Sequence, residues 1–416
     1  MVGDILLRAY RTPKGPPPLR APSSDVRALL FSSVMHYEGP LGPRFSIYET
    51  LKVILLGWWL PFVRLGGLLV IMIFYRLYAA IVFFNVAWAS GKPMPPRNDW
   101  RMCLMRREMR IGCRTALRWC GIKTKIFGKY SPQLDDGWEP PVISNHTSYV
   151  DIVILAMQGH HAFVAKAGLA KAPIIRTFAA LWQVVLVKRK AADSRTATQD
   201  QLRNRCFDHN APSPTLFPEG STTNGKWLMP FRPGIFRLGM PVQPVLLHYP
   251  HKRCNVAWDT CTISLSLWRC QTQVVNHAHL HYLPVYYPTD AEKADARLFA
   301  EGVRRAMVSY AETHDIELQT TETNVLEKLI YQDYCDGKIS WGKALEDLQA
   351  LYDARPDDFS EERKALLAET VRRSVADGDY GVLGQSDTMV DLVVKEGDVS
   401  SSDEGTPRED EADDIV

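Results

Sequence analysis

His146 and Asp151 stand five residues apart in Asn145-His146-Thr147-Ser148-Tyr149-Val150-Asp151. An apolar run at 141–144 leads into this stretch, and a second at 152–157 leads out of it. The pattern reads as a strand that ends in a turn opening a helix. With the histidine at the turn and the aspartate about one helical turn later, the carboxylate can fold back onto the imidazole. A carboxylate that accepts the Nδ1 proton fixes the tautomer and leaves Nε2 free as a base. The same spacing also arises by accident around a surface histidine near a helix start, so a second stretch has to decide.

That stretch is Thr215-Leu216-Phe217-Pro218-Glu219-Gly220-Ser221-Thr222-Thr223-Asn224-Gly225, another apolar run ending in a polar, glycine-bearing turn. Gly220 permits close backbone approach, and the hydroxyls and amides after it can hold oxygen-rich ligands. Taken together, His146…Asp151 and Phe217-Pro218-Glu219-Gly220-Ser221 resemble the glycerolipid (PlsC-type) acyltransferase family, whose first motif is H-x4-D and whose third is F-P-E-G-[ST]. Leu186-Val187-Lys188-Arg189 resembles the second block of that family, and Pro241-Val242-Gln243-Pro244-Val245-Leu246-Leu247 the fourth. The four blocks fall in the family's order and the likeness covers about residues 45 to 310. Pro61-Phe62-Val63-Arg64, residues 241–245 and residues 283–307 resemble the lysophosphatidylcholine acyltransferase branch in particular.

The resemblance implies transfer of an acyl group from acyl-CoA to the free hydroxyl of a lysophospholipid, first of all lysophosphatidylcholine. It makes His146 the general base and Asp151 the group that orients and stabilises the imidazolium. It gives Arg189, Glu219, Gly220 and Ser221 the task of holding the glycerophosphate of the acceptor, and a planar guanidinium suits a phosphate. No resident cofactor and no metal are implied, acyl-CoA being a co-substrate. No covalent enzyme intermediate is needed either. Oxyanion donors could come from amides near Gly220 or around the His146 turn, and the sequence does not choose between them. Two alternatives stand beside this reading: acylation of lysophosphatidic acid by the same machinery, and a non-enzymatic membrane-shaping protein with the same fold. Gly225 departs from the branch, where a cation is common.

Composition leaves room for these elements. The chain has 416 residues, 46% hydrophobic and 23% charged, with a net charge of +2, enough for one large or two ordinary domains. Its eight cysteines include no C-x-x-C pair, which predicts reduced thiols facing the cytosol. No secretory signal pattern opens the chain. Residues 1–44, with Lys14-Gly15-Pro16-Pro17-Pro18, read as a flexible basic tail. Residues 45–92 read as a membrane segment. Pro61 and Arg64 interrupt it, and the run 65–89 either spans once or forms one arm of a hairpin in a single leaflet. Basic residues on both sides favour the hairpin, with both ends cytosolic. The strongly basic run from Arg97 to Lys129 reads as an amphipathic helix on an anionic lipid surface, a simpler partner than nucleic acid at this juxtamembrane place.

Strand-like runs at 141–144, 161–165, 184–187, 215–217, 242–248 and 274–283 alternate with helical segments. They predict an α/β fold: a mixed sheet flanked by helices, as in the glycerolipid acyltransferases, with an N-terminal membrane-embedded helical segment and C-terminal helices. The acyltransferase domain is expected over 93–315, a helical C-terminal region over 316–392, and a disordered acidic tail over 393–416. His277, His279 and His281 would line one face of a strand, read as the exposed face of a terminal strand and not as a metal site. Cys335-Asp336-Gly337-Lys338 and Asp377-Gly378-Asp379 invite comparison with calcium loops, but the required ligand positions hold the wrong residues, so no calcium binding is expected. The expected setting is an integral or monotopic protein of the endoplasmic reticulum membrane with its site on the cytosolic side. No lysine-rich retrieval signal is present in the last residues.

Overall fold

The computed structural model describes residues 47–83, 99–130, 139–159, 162–166, 173–187, 192–208, 212–251, 255–259 and 263–376. The basic tail, Arg189, the Asp377-Gly378-Asp379 stretch and the acidic tail therefore lie outside the described residues. Seven strands make the main sheet: β1 (Ile122–Phe127), β2 (Val142–Ser144), β3 (Ala162–Lys166), β4 (Val185–Val187), β5 (Pro214–Leu216), β7 (Gln243–His248) and β8 (Asn276–Tyr282), in the order β1-β8-β7-β2-β5-β3-β4. β6 (Trp227–Leu228) and β9 (Gln319–Thr320) form a separate parallel pair. Five neighbouring strands, β7-β2-β5-β3-β4, run parallel, and β8 joins β7 antiparallel, so the sheet is mixed. Parallel strands bring their carboxyl ends to one edge of the sheet, where α/β proteins place their sites.

Helices cover both faces. α3 (Trp100–Trp119), α4 (Val150–Gln158) and α7 (Ile263–Thr272) join one core, in which Leu117, Ile154, Cys270, Val245 and Leu247 are buried. α9 (Ala296–Thr313) closes the other, in which Phe299, Val303, Met307, Ile143 and Leu246 are buried. The alternation of Val245, Leu246 and Leu247 between the two cores explains why β7 reads as an unbroken apolar run.

Two expectations need correction here. The basic run does not stay helical to Lys129: α3 stops at Trp119, Gly121 turns at φ 72°, and residues 122–127 form β1. The alternation Ile122, Thr124, Ile126 against Lys123 and Lys125 is a strand's period, hidden by its charge. As a consequence β8 is not terminal. β1 pairs outside it, His281 is buried, His279 is half-buried and His277 is exposed. Among the described residues no group of three or more His, Cys, Asp or Glu side chains is arranged to hold a metal ion.

At the N-terminal side lie α1 (Ile47–Leu56) and α2 (Leu60–Val82). α2 is long and apolar enough to cross a membrane, and only 6% of its most apolar window is buried within the protein. Pro61 and Arg64 do not interrupt this helix. Pro61 sits in its first turn, where the missing N–H costs nothing. Arg64 is buried, and its guanidinium donates to the carbonyls of Gln271 (2.8 Å), Gln273 (2.6 Å) and Val274 (3.1 Å) at the C-terminal end of α7. A cation there satisfies carbonyls that the helix leaves unpaired. Tyr75 and Ala79 of α2 pack against Met102, Met105 and Met109 of α3, so α2 is fastened to the body through its C-terminal half.

The C-terminal helices α10 (Val325–Cys335), α11 (Trp341–Ala354) and α12 (Glu361–Ala376) enclose a core of their own around Tyr334, Trp341, Leu345, Leu348 and Leu367. A buried ion pair ties them together: Arg363 donates to Glu327 Oε1 from Nε (3.0 Å) and Nη2 (2.9 Å), and Tyr352 donates to the same oxygen. Removing one partner of a buried pair strands the other charge. Arg363→Met is expected to lower unfolding stability by about 3–5 kcal/mol, measured by denaturant titration. The double variant with Glu327→Gln should lose clearly less. Equal losses would show that the stranded carboxylate is not the cause.

Candidate active site

The site forms where the parallel strands end. β2 stops at Ser144, and Asn145 then clamps the chain to β7: its Oδ1 accepts from Leu247 N–H at 2.7 Å and its Nδ2 donates to Leu247 O at 2.9 Å. This holds the following turn rigid. Asp151, in the first turn of α4, is fully buried and collects four donors. On Oδ2 these are His146 Nδ1 at 2.8 Å, Thr147 N–H at 2.7 Å and Ser148 N–H at 2.9 Å, and on Oδ1 the Tyr249 hydroxyl. Four donors suit a carboxylate, which only accepts. With Asp151 accepting at Nδ1, the imidazole presents its Nε2 lone pair. Burial and the neighbouring Asp151 hold the Tyr249 hydroxyl well above its ordinary range, so it stays a donor.

β5 delivers the second stretch beside the first. Phe217 stacks on the His146 ring at 4.1 Å between centroids and 20° between planes. Glu219 is buried, and both its oxygens are taken by backbone: Oε1 accepts from His146 N–H at 2.7 Å and Oε2 from Met229 N–H at 2.9 Å. Burial pushes its carboxyl up to about 8, against the pull of those two amides. Glu219 thus sets the position of the His146 turn. The turn is further stitched by Thr223 N–H to His146 O (2.9 Å), Trp258 N–H to Thr147 O (2.8 Å) and the Thr222 hydroxyl to Trp258 O.

Gly220 turns at φ 71°, and the place a Cβ would take is 2.8 Å from Cζ of Arg232, so the guanidinium lies directly over the glycine. The amides of His146, Thr147 and Ser148 are all committed. Those of Ser221 and Thr222 donate to no acceptor among the described residues. Gly225 sits at φ 82° with its Cβ direction 3.1 Å from Thr147 Cγ2, so a side chain there would press on the His146 turn.

His146, Asp151, Glu219, Gly220 and Ser221 are therefore brought together, while Arg189 follows the end of β4 outside the described residues. Sequence reasoning missed four residues: Asn145, Tyr249, Arg232 and, from the C-terminal helices, Lys328. Tyr249 carried a signal, since it follows β7 as His146 follows β2. The others had none that spacing could show.

Residues 141–248 match the family model described as Acyltransferase. The chain is 36% identical over 204 residues to the lysophospholipid acyltransferase LPEAT1 of Arabidopsis thaliana, covering 48% of this chain and 50% of that protein. It is 37% identical over 169 residues to a lysophosphatidylcholine acyltransferase of Drosophila melanogaster, covering 40% and 32%. It is 28% identical over 298 residues to the mouse lysophosphatidylcholine acyltransferase 2B, covering 69% and 55%. The chain thus spans about half the length, or less, of these relatives. Among solved structures, the 1-acyl-sn-glycerophosphate acyltransferase PlsC of Thermotoga maritima aligns over 60% of this chain and 98% of its own, at 19% identity and a TM-score of 0.38. Residues 141–248 are thus the part of the chain that matches the Acyltransferase family. Within it, the curated relatives are named for lysophospholipids and lysophosphatidylcholine.

Proposed function

We propose that the protein is an acyl-CoA:lysophospholipid O-acyltransferase acting at a membrane surface. The observation that carries this reading is the His146–Asp151 pair, locked by Tyr249 and set beside the Gly220–Ser221 turn. An alcohol attacks a thioester poorly until its proton is removed. His146 Nε2 takes the proton of the acceptor hydroxyl as the oxygen attacks the thioester carbonyl, and the imidazolium is held by Asp151. Collapse of the tetrahedral intermediate expels the CoA thiolate, and the same proton can be returned to sulfur. The Ser221 and Thr222 amides are the donors we assign to the developing oxyanion or to the acceptor's phosphate. Arg232, over Gly220, supplies a cation beside them, and Arg189 is expected to supply another. The exposed apolar face of α2 (Phe62, Leu69, Val70, Phe74, Leu77) gives the membrane attachment. We place the site on the cytosolic side of the endoplasmic reticulum membrane.

The acceptor we favour is lysophosphatidylcholine, from the branch resemblance and the names of the relatives. The cations around the turn serve any glycerophosphate, so the headgroup is chosen elsewhere. The test is purified full-length protein in detergent or nanodiscs, labelled acyl-CoA and a panel of lysolipids. The expected result is labelled diacyl phospholipid, with kcat/KM highest for lysophosphatidylcholine. Preference for lysophosphatidic acid would move the headgroup and keep the mechanism. No transfer to any lysolipid would overturn the enzymatic reading in favour of a membrane-shaping protein.

A further inference from the structure

α10 begins directly behind the Gly220–Ser221 turn. Its first turn is pinned twice: Asn324 and Glu327 cap it reciprocally, and Glu327 is held in turn by Arg363 and Tyr352. The chain just before it is also sewn to the catalytic body. β9 pairs with β6, and Arg304 bridges Leu228 O (3.2 Å) and Thr321 O (2.9 Å). The fourth residue of this fixed helix is Lys328, 1% exposed. Its ammonium donates to Ser221 Oγ at 2.9 Å, Thr222 O at 2.7 Å and Thr222 Oγ1 at 3.1 Å.

An ammonium has three N–H groups and no lone pair. All three are used on the turn, and they decide where the turn's own protons go. The Thr222 hydroxyl, accepting from Lys328, gives its proton to Trp258 O. Ser221 Oγ also accepts from Lys328, so its proton points elsewhere, and no acceptor for it occurs among the described residues. Among the described residues, the Ser221 O–H and N–H and the neighbouring Thr222 N–H have no acceptor. These donors, polarised by a buried cation behind them, make a cradle for a phosphate.

We infer that Lys328 is a positioning residue: it sets the Ser221 hydroxyl and the Ser221–Thr222 amides toward a substrate phosphate, making the C-terminal helices part of the substrate site. This rests on the acyl-transfer reading. The phosphate is that of the lysolipid or one of CoA, and the kinetics separate them. The test compares wild type, Lys328→Met, Ser221→Ala, Ser221→Thr and the double variant Lys328→Met/Ser221→Ala. For each, KM for lysophospholipid, KM for acyl-CoA, kcat and Tm are measured in nanodiscs.

The expected result is that Lys328→Met and Ser221→Ala each raise one KM about tenfold, the loss of a hydrogen bond to a charged group. Ser221→Thr keeps the hydroxyl and stays near wild type, and the double variant is no worse than the poorer single. A rise in lysophospholipid KM names the acceptor's phosphate, and a rise in acyl-CoA KM names the phosphates of CoA. Ser221→Ala alone keeps the test open should Lys328→Met fold poorly. Unchanged KM values, a fall confined to kcat, or additive losses would overturn the inference. A wild type inactive on every lysolipid would instead strike the enzymatic reading.

Discussion

His146→Ala is expected to lower kcat for acyl transfer by about 10³-fold or more, because positioned general bases contribute on the order of 10²–10⁴ and nothing replaces this one. Among the described residues no other imidazole is bonded to Asp151: His248, His279 and His281 lie along β7 and β8, in edge-on or tilted contact with one another, and His281 stacks on Phe127. Stability should change little, since the ring's only hydrogen bond within the described structure is to Asp151, which keeps three other donors. Asp151→Asn refines the test. The amide oxygen can still accept from Thr147 and Ser148, and the Tyr249 hydroxyl can turn to accept from the new NH₂. The fold of the turn survives while the anion that fixes the imidazole is lost, so a fall of about 10²–10⁴ in kcat is expected with little change in KM. Stopped assays with labelled acyl-CoA measure both. Turnover near wild type by His146→Ala, with the variant shown to be folded, would remove the general-base mechanism.

How much of this was visible in the sequence depends on how far apart the partners lie. His146 and Asp151 are five residues apart, one turn and the start of one helix, and a short offset is legible. Glu219 and His146 are 73 residues apart, and Lys328 and Ser221 are 107 apart. They meet because β2 and β5 are neighbours in the sheet and because α10 is anchored behind the turn. Neither relation leaves a periodic trace. Arg64 shows the opposite error. A lone charge in an apolar run looks like an interruption, yet it reaches carbonyls more than 200 residues away in sequence. The strand 122–127 was masked by its own lysines, which face outward from an edge strand where charge discourages further pairing. Of the strong elements, β7 and α4 were legible because their apolar runs are unbroken, and α9 because its apolar residues Phe299, Val303, Met307 and Tyr310 recur at three- and four-residue steps.

Glu219→Gln is expected to separate holding the turn from taking part in the chemistry. Glutamine has one acceptor oxygen where glutamate has two, so its NH₂ must face either the His146 or the Met229 N–H. One buried amide loses its partner, which costs about 1–3 kcal/mol. The His146 turn shifts, and a displacement on the order of 1 Å costs roughly 10²-fold in rate, so kcat should fall by about that factor while KM for acyl-CoA holds. The pH dependence gives the sign. Burial pushes the folded-state carboxyl up to about 8, whereas in the unfolded chain it titrates in the ordinary carboxylate range. Between those values the unfolded chain has released a proton that the folded protein retains, so this group's contribution to stability falls as pH rises toward about 8. Glutamine has no such proton. The stability gap between wild type and Glu219→Gln, read from denaturant unfolding, should therefore be widest at and below about pH 4, where folded and unfolded chains are both protonated, and narrow as pH rises toward about 8. A gap that stays constant with pH would mean that Glu219 ionises normally in the fold. An abolished kcat with unchanged stability would make its carboxyl a direct participant in catalysis.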